Sequence, residues 1–290
     1  MRNRPAPFTN FVPMRTITVL ALLFSSALIA QTGGTVQPQV APFVFGEVLS
    51  FPSKELGQER ALNIYLPDGY ADSTLSYPVI YVLDGSANED FPHIAGLAQF
   101  MNMYDLLPKS IVVGIANNVR SRYHDFTGST QSDSDKVWVP TYGGSAAFIS
   151  YLEKEVEPMV KARYRTSGHS TLIGQSLGGL LGTEILFSKP ELFDDYILVS
   201  PSLWWNNGAL AAQADGWVKQ HATLPKRVFI AMTPSDAMMK KQVGQVVKAF
   251  QKQAKPPLTF WYVDFPHETH ATVLHRAVYK AFELMNETGK

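Results

Sequence analysis

A candidate nucleophile lies at Ser176, in the string Gly174-Gln175-Ser176-Leu177-Gly178-Gly179, which fits the pattern G-x-S-x-G. The apolar run 171–173 precedes it and the helical run 180–187 follows, so a strand is expected to turn directly into a helix at the serine. Such a turn strains the serine backbone, exposes its hydroxyl and needs small neighbours. The Leu177 amide then lies at a helix N-terminus and can stabilise an oxyanion. This pattern predicts acyl transfer by Ser176, with an ordinary glycine-rich turn as the alternative.

A serine hydroxyl needs a general base, and proteins with this motif carry nucleophile, acid and histidine in that chain order. His270 follows the apolar strand 258–263 and precedes the final helical run, which places it on a loop at the same sheet edge as Ser176. We predict His270 as the base. His267 is its nearest rival and is expected to be a solvent-exposed loop residue.

The acid of a triad is expected on the loop after the strand 228–231, where Asp236 supplies a carboxylate. It would accept the Nδ1–H of the histidine and stabilise the imidazolium. Asp264 and Glu268 lie close to His270 in sequence and could do the same. A helix-capping role for Asp236, or a dyad without an acid, also stays open.

A second oxyanion donor is expected after the strand 79–83, where the chain reads Asp84-Gly85-Ser86. Gly85 would let the backbone fold so that the Ser86 N–H points at the reacting carbonyl. Two amides directed at one developing charge lower an acyl-transfer barrier by several kcal/mol. A plain turn is the alternative for this segment.

The elements that must position these residues alternate along the chain. Short continuous apolar runs are typical of strands covered on both faces, and they occur at 79–83, 111–115, 171–173, 196–199, 228–231 and 258–263. Helical patterns are predicted at 145–163, 177–187, 239–253 and 270–285. Runs at 44–51 and 60–66 are typical of antiparallel strands at one edge. We therefore predict an α/β fold with a mainly parallel central sheet and helices on both faces.

The N-terminus is predicted to be a secretory signal. Residues 17–30 are apolar, three arginines precede them, and the first thirty residues contain no acidic side chain. The apolar stretch is shorter than the roughly 20 residues of a membrane-spanning helix. We expect a signal peptide over 1–30, a flexible segment over 31–42 and one domain over 43–290. The mature protein is then secreted or periplasmic, without a stable membrane anchor; an uncleaved transmembrane anchor is the alternative.

The amino-acid composition excludes several classes of partner and of catalytic group. The 290 residues are 46% apolar, enough to build a core. Lys and Arg total 25 and so do Asp and Glu, which leaves no basic surplus for a phosphate backbone, so nucleic acid is not an expected partner. The chain has no cysteine, which excludes disulfides, thiolate nucleophiles and Cys-ligated metals. No metal or other cofactor is expected.

Several strings together resemble the Putative esterase (esterase D) family of α/β-hydrolases over about residues 45 to 285. They are Tyr81-Val82-Leu83-Asp84-Gly85, Val113-Gly114-Ile115-Ala116-Asn117 followed by Arg120, Arg122 and Asp125, Glu155-Val156-Glu157-Pro158, the segment Gly174 to Gly179, and Ser200-Pro201-Ser202-Leu203-Trp204-Trp205. The last string and the Gly-Ile-Ala-Asn strand most resemble the branch of enterobactin-type siderophore esterases.

The resemblance implies an α/β-hydrolase fold with Ser176 as nucleophile, His270 as base and the amides of Ser86 and Leu177 as oxyanion hole. In feruloyl-type relatives an Asp lies on the loop that matches Asp236, whereas some siderophore esterases are described as lacking a proper acid. The resemblance therefore leaves the acid open.

Five further residues are candidates for substrate binding. An aromatic pocket could be lined by Trp204, Trp205 and Tyr142, and a carboxylate or catecholate could be met by Arg120 and Arg122. The alternatives are tryptophans that cap the core and arginines in a surface ion pair near Asp125.

The expected activity is hydrolysis of a small-molecule carboxylic ester, such as a catecholate lactone siderophore, through an acyl-enzyme at Ser176. The alternatives are a feruloyl or acetyl esterase, an acyltransferase to sugars, and a binding protein on a hydrolase scaffold. The oligomeric state is not predicted from the sequence.

Overall fold

The computed structural model describes residues 39–118, 121–234 and 239–287. The predicted signal segment 1–30 and most of the predicted flexible segment lie outside these residues, and so do Arg120 and Asp236. Residues 44–287 belong to one compact unit.

An eight-stranded sheet forms the centre of this unit, in the order β1-β2-β4-β3-β5-β6-β7-β8. The strands are Glu47–Ser53 (β1), Gln58–Tyr65 (β2), Tyr77–Val82 (β3), Ile111–Ile115 (β4), Thr166–Gln175 (β5), Asp195–Val199 (β6), Arg227–Met232 (β7) and Thr259–Asp264 (β8). The β1–β2 and β2–β4 pairs are antiparallel and the others are parallel. The predicted antiparallel strands at one edge are therefore confirmed.

Successive residues of the central strands enter two separate cores because side chains alternate across a strand. Val79 and Tyr81 of β3 pack into one core, and Ile80 and Val82 pack into the other. Both faces of the sheet are thus covered, which explains the continuous apolar runs. The predicted α/β-hydrolase fold, with a mainly parallel sheet between helical layers, is confirmed.

Ten α-helices occur in the described residues: Phe91–Met103 (α1), Arg122–Asp125 (α2), Asp133–Trp138 (α3), Ser145–Tyr151 (α4), Glu157–Arg163 (α5), Leu177–Ser188 (α6), Trp205–Ala212 (α7), Ala214–Gln220 (α8), Lys240–Gln253 (α9) and Val273–Asn286 (α10). The predicted helix 145–163 is α4 and α5 joined by the π-helical turn Leu152–Val156. The last helix starts three residues later than predicted, which leaves His270 on the preceding loop.

Parallel strands β3 to β8 bring their carboxyl ends to one edge of the sheet. The segments that follow them carry Asp84, Asn117, Ser176, Ser202 and His270. This carboxyl edge is where open α/β sheets place their ligand sites. In the described part of the chain, no helix is long and apolar enough to span a bilayer.

The opposite, amino edge of the sheet carries a partly buried charge cluster. Asp195 on β6 accepts a hydrogen bond from His169 Nε2 at 2.8 Å and from Arg227 Nε at 2.6 Å. The hydrogen bond to Asp195 is the largest influence on His169 and raises its pKa above the ordinary value of 6.5. Protonated His169 is therefore better stabilised in the folded protein than in the unfolded chain.

His169→Gln is expected to destabilise the protein more at acidic than at alkaline pH. A raised folded-state pKa contributes stability that is complete below the unfolded pKa and is lost as pH rises through the folded pKa. Urea unfolding of the parent and variant between pH 5 and pH 9 measures this difference. His267→Gln, at an exposed loop position, is the control. A stability difference that stays constant over this range would contradict the assignment.

Candidate active site

Ser176 lies at the turn between β5 and α6 with φ 59° and ψ −118°. This strained conformation is held by a backbone hydrogen bond, because the Ser176 N–H donates to Val199 O at 3.0 Å. A Cβ on Gly179 would lie 2.9 Å from the Cα of Pro201, so the loop after β6 needs glycine there to pass. The strand, the turn and the helix predicted from the motif are all present, and the serine is partly exposed.

A second serine lies beside the nucleophile candidate. Ser202 Oγ is 3.3 Å from Ser176 Oγ, and the Ser202 N–H donates to Ser176 O at 2.9 Å. Ser202 is 1% exposed, so water has little access to its hydroxyl. No role for Ser202 is predicted from the sequence. The available signal was its place in Ser200-Pro201-Ser202, immediately after β6 at the carboxyl edge.

The loop that carries His270 is attached to the residue before the nucleophile. The Gln175 side-chain amide donates a hydrogen bond to the His270 carbonyl. His270 is half-buried, whereas its rival His267 is exposed. The loop of the predicted base is thus joined directly to the turn of the predicted nucleophile.

Two alternative acids are engaged with other groups. Asp264 accepts a hydrogen bond from the Tyr262 hydroxyl at 2.6 Å, and Glu268 pairs with Arg276 at 3.0 Å. A hydrogen bond from Thr272 is the largest influence that lowers the pKa of Glu268. Asp236 lies outside the described residues, so its role as the acid stays a prediction.

The predicted oxyanion loop follows β3 and has a left-handed residue, Asp84, with φ 55°. The Gly85 N–H donates to Ile115 O at 3.0 Å, and a Cβ on Gly85 would lie 2.5 Å from Ile115 N, so only glycine fits. The Ser86 N–H donates to Glu89 Oε2 at 3.2 Å. To act as the predicted oxyanion donor, the Ser86 amide must exchange the Glu89 carboxylate for the substrate oxygen. The Leu177 amide is the first of α6 and has no intrahelical acceptor.

The predicted aromatic residues differ in how far they are buried. Trp205 is only 4% exposed and its Nε1–H donates to Gly128 O at 3.1 Å, so it packs in the core and is corrected from a substrate-facing to a structural residue. Tyr142 packs against it with ring centroids 6.1 Å apart. Trp204 is partly exposed, and its buried Nε1–H has no acceptor within the described residues. Of the two tryptophans, Trp204 has the larger exposed surface, which a substrate can contact.

Arg122 is paired with a buried acid. Its Nε lies 2.5 Å from Asp84 Oδ1 and its Nη2 lies 2.7 Å from Asp84 Oδ2, a bidentate geometry. Asp125, the residue expected near these arginines, instead pairs with Arg60. Arg122 thus contacts the oxyanion loop rather than facing solvent freely. Within residues 39–118, 121–234 and 239–287, no cluster of His, Asp and Glu could hold a metal ion.

A strained serine at a strand-to-helix turn, next to a histidine loop after the last strand, defines the site of an α/β-hydrolase. The family model described as Putative esterase matches residues 53–266. The chain belongs to this family, and the match places it among carboxylic ester hydrolases.

Relatives and solved structures agree with this assignment. The chain is 25% identical over 227 residues to ferri-bacillibactin esterase BesA of Bacillus subtilis, covering 71% of this chain and 77% of that protein. It is 31% identical over 155 residues to siderophore triacetylfusarinine C esterase of Aspergillus fumigatus, a match that spans half of that relative and 49% of this chain. An IroE-like serine hydrolase from Shewanella oneidensis superimposes with a TM-score of 0.76 at 29% identity, over 83% of this chain and 80% of that chain.

Proposed function

We propose that the protein is a serine esterase that hydrolyses the ester bonds of a siderophore, with Ser176 as nucleophile and His270 as general base. The observation that carries the proposal is the strained Ser176 turn joined to the His270 loop through Gln175. A serine hydroxyl is a weak nucleophile unless a base removes its proton, so this juxtaposition supports acyl-transfer chemistry.

In the proposed mechanism, His270 takes the proton of Ser176 as its Oγ attacks the ester carbonyl. The Leu177 and Ser86 amides stabilise the oxyanion, once Ser86 has exchanged its hydrogen bond with Glu89 for the substrate oxygen. His270 then protonates the leaving alcohol, and water attacks the acyl-enzyme by the same route. Asp236 is the proposed acid that orients the imidazole.

The relatives support a siderophore as substrate. BesA and the Aspergillus enzyme both carry siderophore esterase names, and they differ from each other in the siderophore named. Trp204 is partly exposed and follows Ser202 by two positions, and an exposed aromatic side chain there can stack on a catecholate ring. We therefore propose a catecholate lactone as the substrate class, bound partly through Trp204.

Hydrolysis of a substrate panel tests this proposal. The purified protein is expected to cleave a tri-catechol lactone siderophore with a kcat/KM at least about 100-fold above that for nitrophenyl acetate, methyl ferulate or acetylated xylan. A difference of this size is typical where several specific contacts discriminate between substrates. Product analysis by mass spectrometry identifies the released linear acids. Addition of glycerol or sugar alcohols separates hydrolysis from acyl transfer, because a transferase would divert most of the acyl group to the alcohol.

Trp204→Leu provides a sharper comparison within this panel. It is expected to raise KM for the lactone about tenfold, because one aromatic contact with the substrate is lost. Hydrolysis of nitrophenyl acetate is expected to stay unchanged. A preference for short esters over the lactone would contradict the proposed substrate class and leave the esterase chemistry standing.

A further inference from the structure

We propose that Arg122 is a positioning residue, which locks the oxyanion loop through Asp84 and neutralises that carboxylate. This inference rests on the proposed esterase function. It concerns a contact between the segment after β4 and the loop after β3, two segments 38 positions apart.

The first support is the geometry of the loop. Asp84 has a left-handed backbone with φ 55°, a conformation that L side chains adopt rarely and that local hydrogen bonds stabilise. Both carboxylate oxygens of Asp84 are held by Arg122, and the Asn117 side-chain amide donates to Oδ1 as well. The Asn117 backbone N–H donates to Ser86 Oγ at 3.1 Å. Arg122 and Asn117 thus hold both the strained residue and the predicted oxyanion donor.

The second support is electrostatic. The Asp84 side chain is 11% exposed and lies beside the first turn of α6, since a Cβ on Gly178 would be 3.5 Å from Asp84 Oδ2. An unpaired carboxylate at this position would repel the oxyanion that forms at the start of α6. The bidentate guanidinium offsets that charge. Phe126 packs under the guanidinium, with its ring centroid 5.3 Å from Arg122 Cζ, which fixes the plane of the pair.

The third support is the balance of burial and charge at the Arg122–Asp84 pair. Burial opposes its charge, but the hydrogen bonds to Asp84 and the charge of Asp84 outweigh burial, and the pKa of Arg122 is raised. The Asp84 carboxylate occupies the Nε and Nη2 edge of the guanidinium. A substrate anion that leaves this pair intact can be met only by the remaining N–H groups of Arg122.

The test compares Arg122→Gln, Arg122→Lys and the double variant Arg122→Gln/Asp84→Asn on a neutral ester, nitrophenyl butyrate, and on the iron(III) complex of the tri-catechol lactone, which is anionic and is called the anionic lactone below. Arg122→Gln is expected to lower kcat about 10- to 100-fold on both esters, because one oxyanion donor is misplaced. KM is expected to stay within about threefold of the parent value. Arg122→Lys should recover part of kcat. The double variant should recover about tenfold over Arg122→Gln, because the bare carboxylate is removed.

Arg227→Gln is the matched control, because it removes an equivalent bidentate pair, Arg227 with Asp195, at the opposite edge of the sheet. It is expected to lower the melting temperature and leave kcat unchanged. A loss confined to KM for the anionic lactone would overturn the proposal in favour of substrate binding, and so would an unchanged kcat in Arg122→Gln. If Arg122→Gln does not fold, Arg122→Lys and the double variant decide by the same kcat criterion. A parent protein that hydrolyses neither ester would instead overturn the proposed function itself.

Discussion

Ser176→Ala is expected to lower kcat for ester hydrolysis by about 10⁴-fold or more while the protein stays folded. The alanine removes the atom that forms the acyl-enzyme, and only binding and the oxyanion donors remain to accelerate attack by water. Steady-state hydrolysis and labelling by a fluorophosphonate probe measure the two consequences together. Ser188→Ala is a matched control because Ser188 is an exposed serine at the end of the same helix.

A second substitution at this position separates chemistry from strain. Ser176→Gly is expected to be as inactive as Ser176→Ala, yet more stable than it by about 1–2 kcal/mol, because glycine adopts φ 59° without the penalty paid by alanine. Urea unfolding of the two variants gives the difference. An alanine variant that retained most of its esterase activity would rule out Ser176 as the nucleophile.

Asp125→Ala is expected to destabilise the protein by about 3–5 kcal/mol, because it leaves the charge of Arg60 buried and unpaired. The two side chains are 1% and 3% exposed, and the guanidinium lies over the Phe148 and Tyr151 rings at 5.6 and 5.8 Å. Arg60 reaches Asp125 through Nη2, and its Nε and Nη1 have no hydrogen-bond acceptor within the described residues. Asp125 is thus the main charge that compensates Arg60.

The double variant Arg60→Met/Asp125→Leu is expected to recover most of that stability, since apolar side chains of similar size can replace a buried pair. Urea unfolding of the parent, both single variants and the double variant completes the cycle. Asp133→Ala removes an exposed pair with Lys136 and should change stability by less than about 1 kcal/mol. A small effect of Asp125→Ala would show that the buried guanidinium finds another partner. Because α2 contains both Asp125 and Arg122, this ion pair also anchors the helix that holds the oxyanion loop.

The elements of this fold could be predicted because their signals are local. The strand before Ser176, the motif and the helix after it occupy 23 consecutive residues, and each apolar run alone indicates a strand buried on both faces. The position of His270 followed from the strand that precedes it. These inferences need only the order of elements along the chain.

The contacts around the site could not be predicted in the same way. Trp204 and Trp205 are adjacent in the sequence, and adjacency does not tell which ring faces the core; packing against Tyr142 and Gly128 decides it. The pairing of Arg122 with Asp84 rather than Asp125 joins loops after two different strands. Ser202 reaches Ser176 only because β5 and β6 are neighbours in the sheet. Such choices depend on tertiary packing, which one sequence does not display.

The hydrogen bond from the Ser176 amide to Val199 has a consequence for the kinetics of opening. Together with the Ser200 amide bond to Ala231, it continues the β5–β6–β7 ladder past the ends of the strands. We therefore expect the Ser176 amide to exchange its hydrogen with solvent only when the ends of these central strands separate. The Ser86 amide is held by the side chain of Glu89 within its own loop, so it can exchange acceptors through a local fluctuation. The Ser86 amide can thus change its acceptor while Arg122 and Asn117 keep the rest of its loop in place.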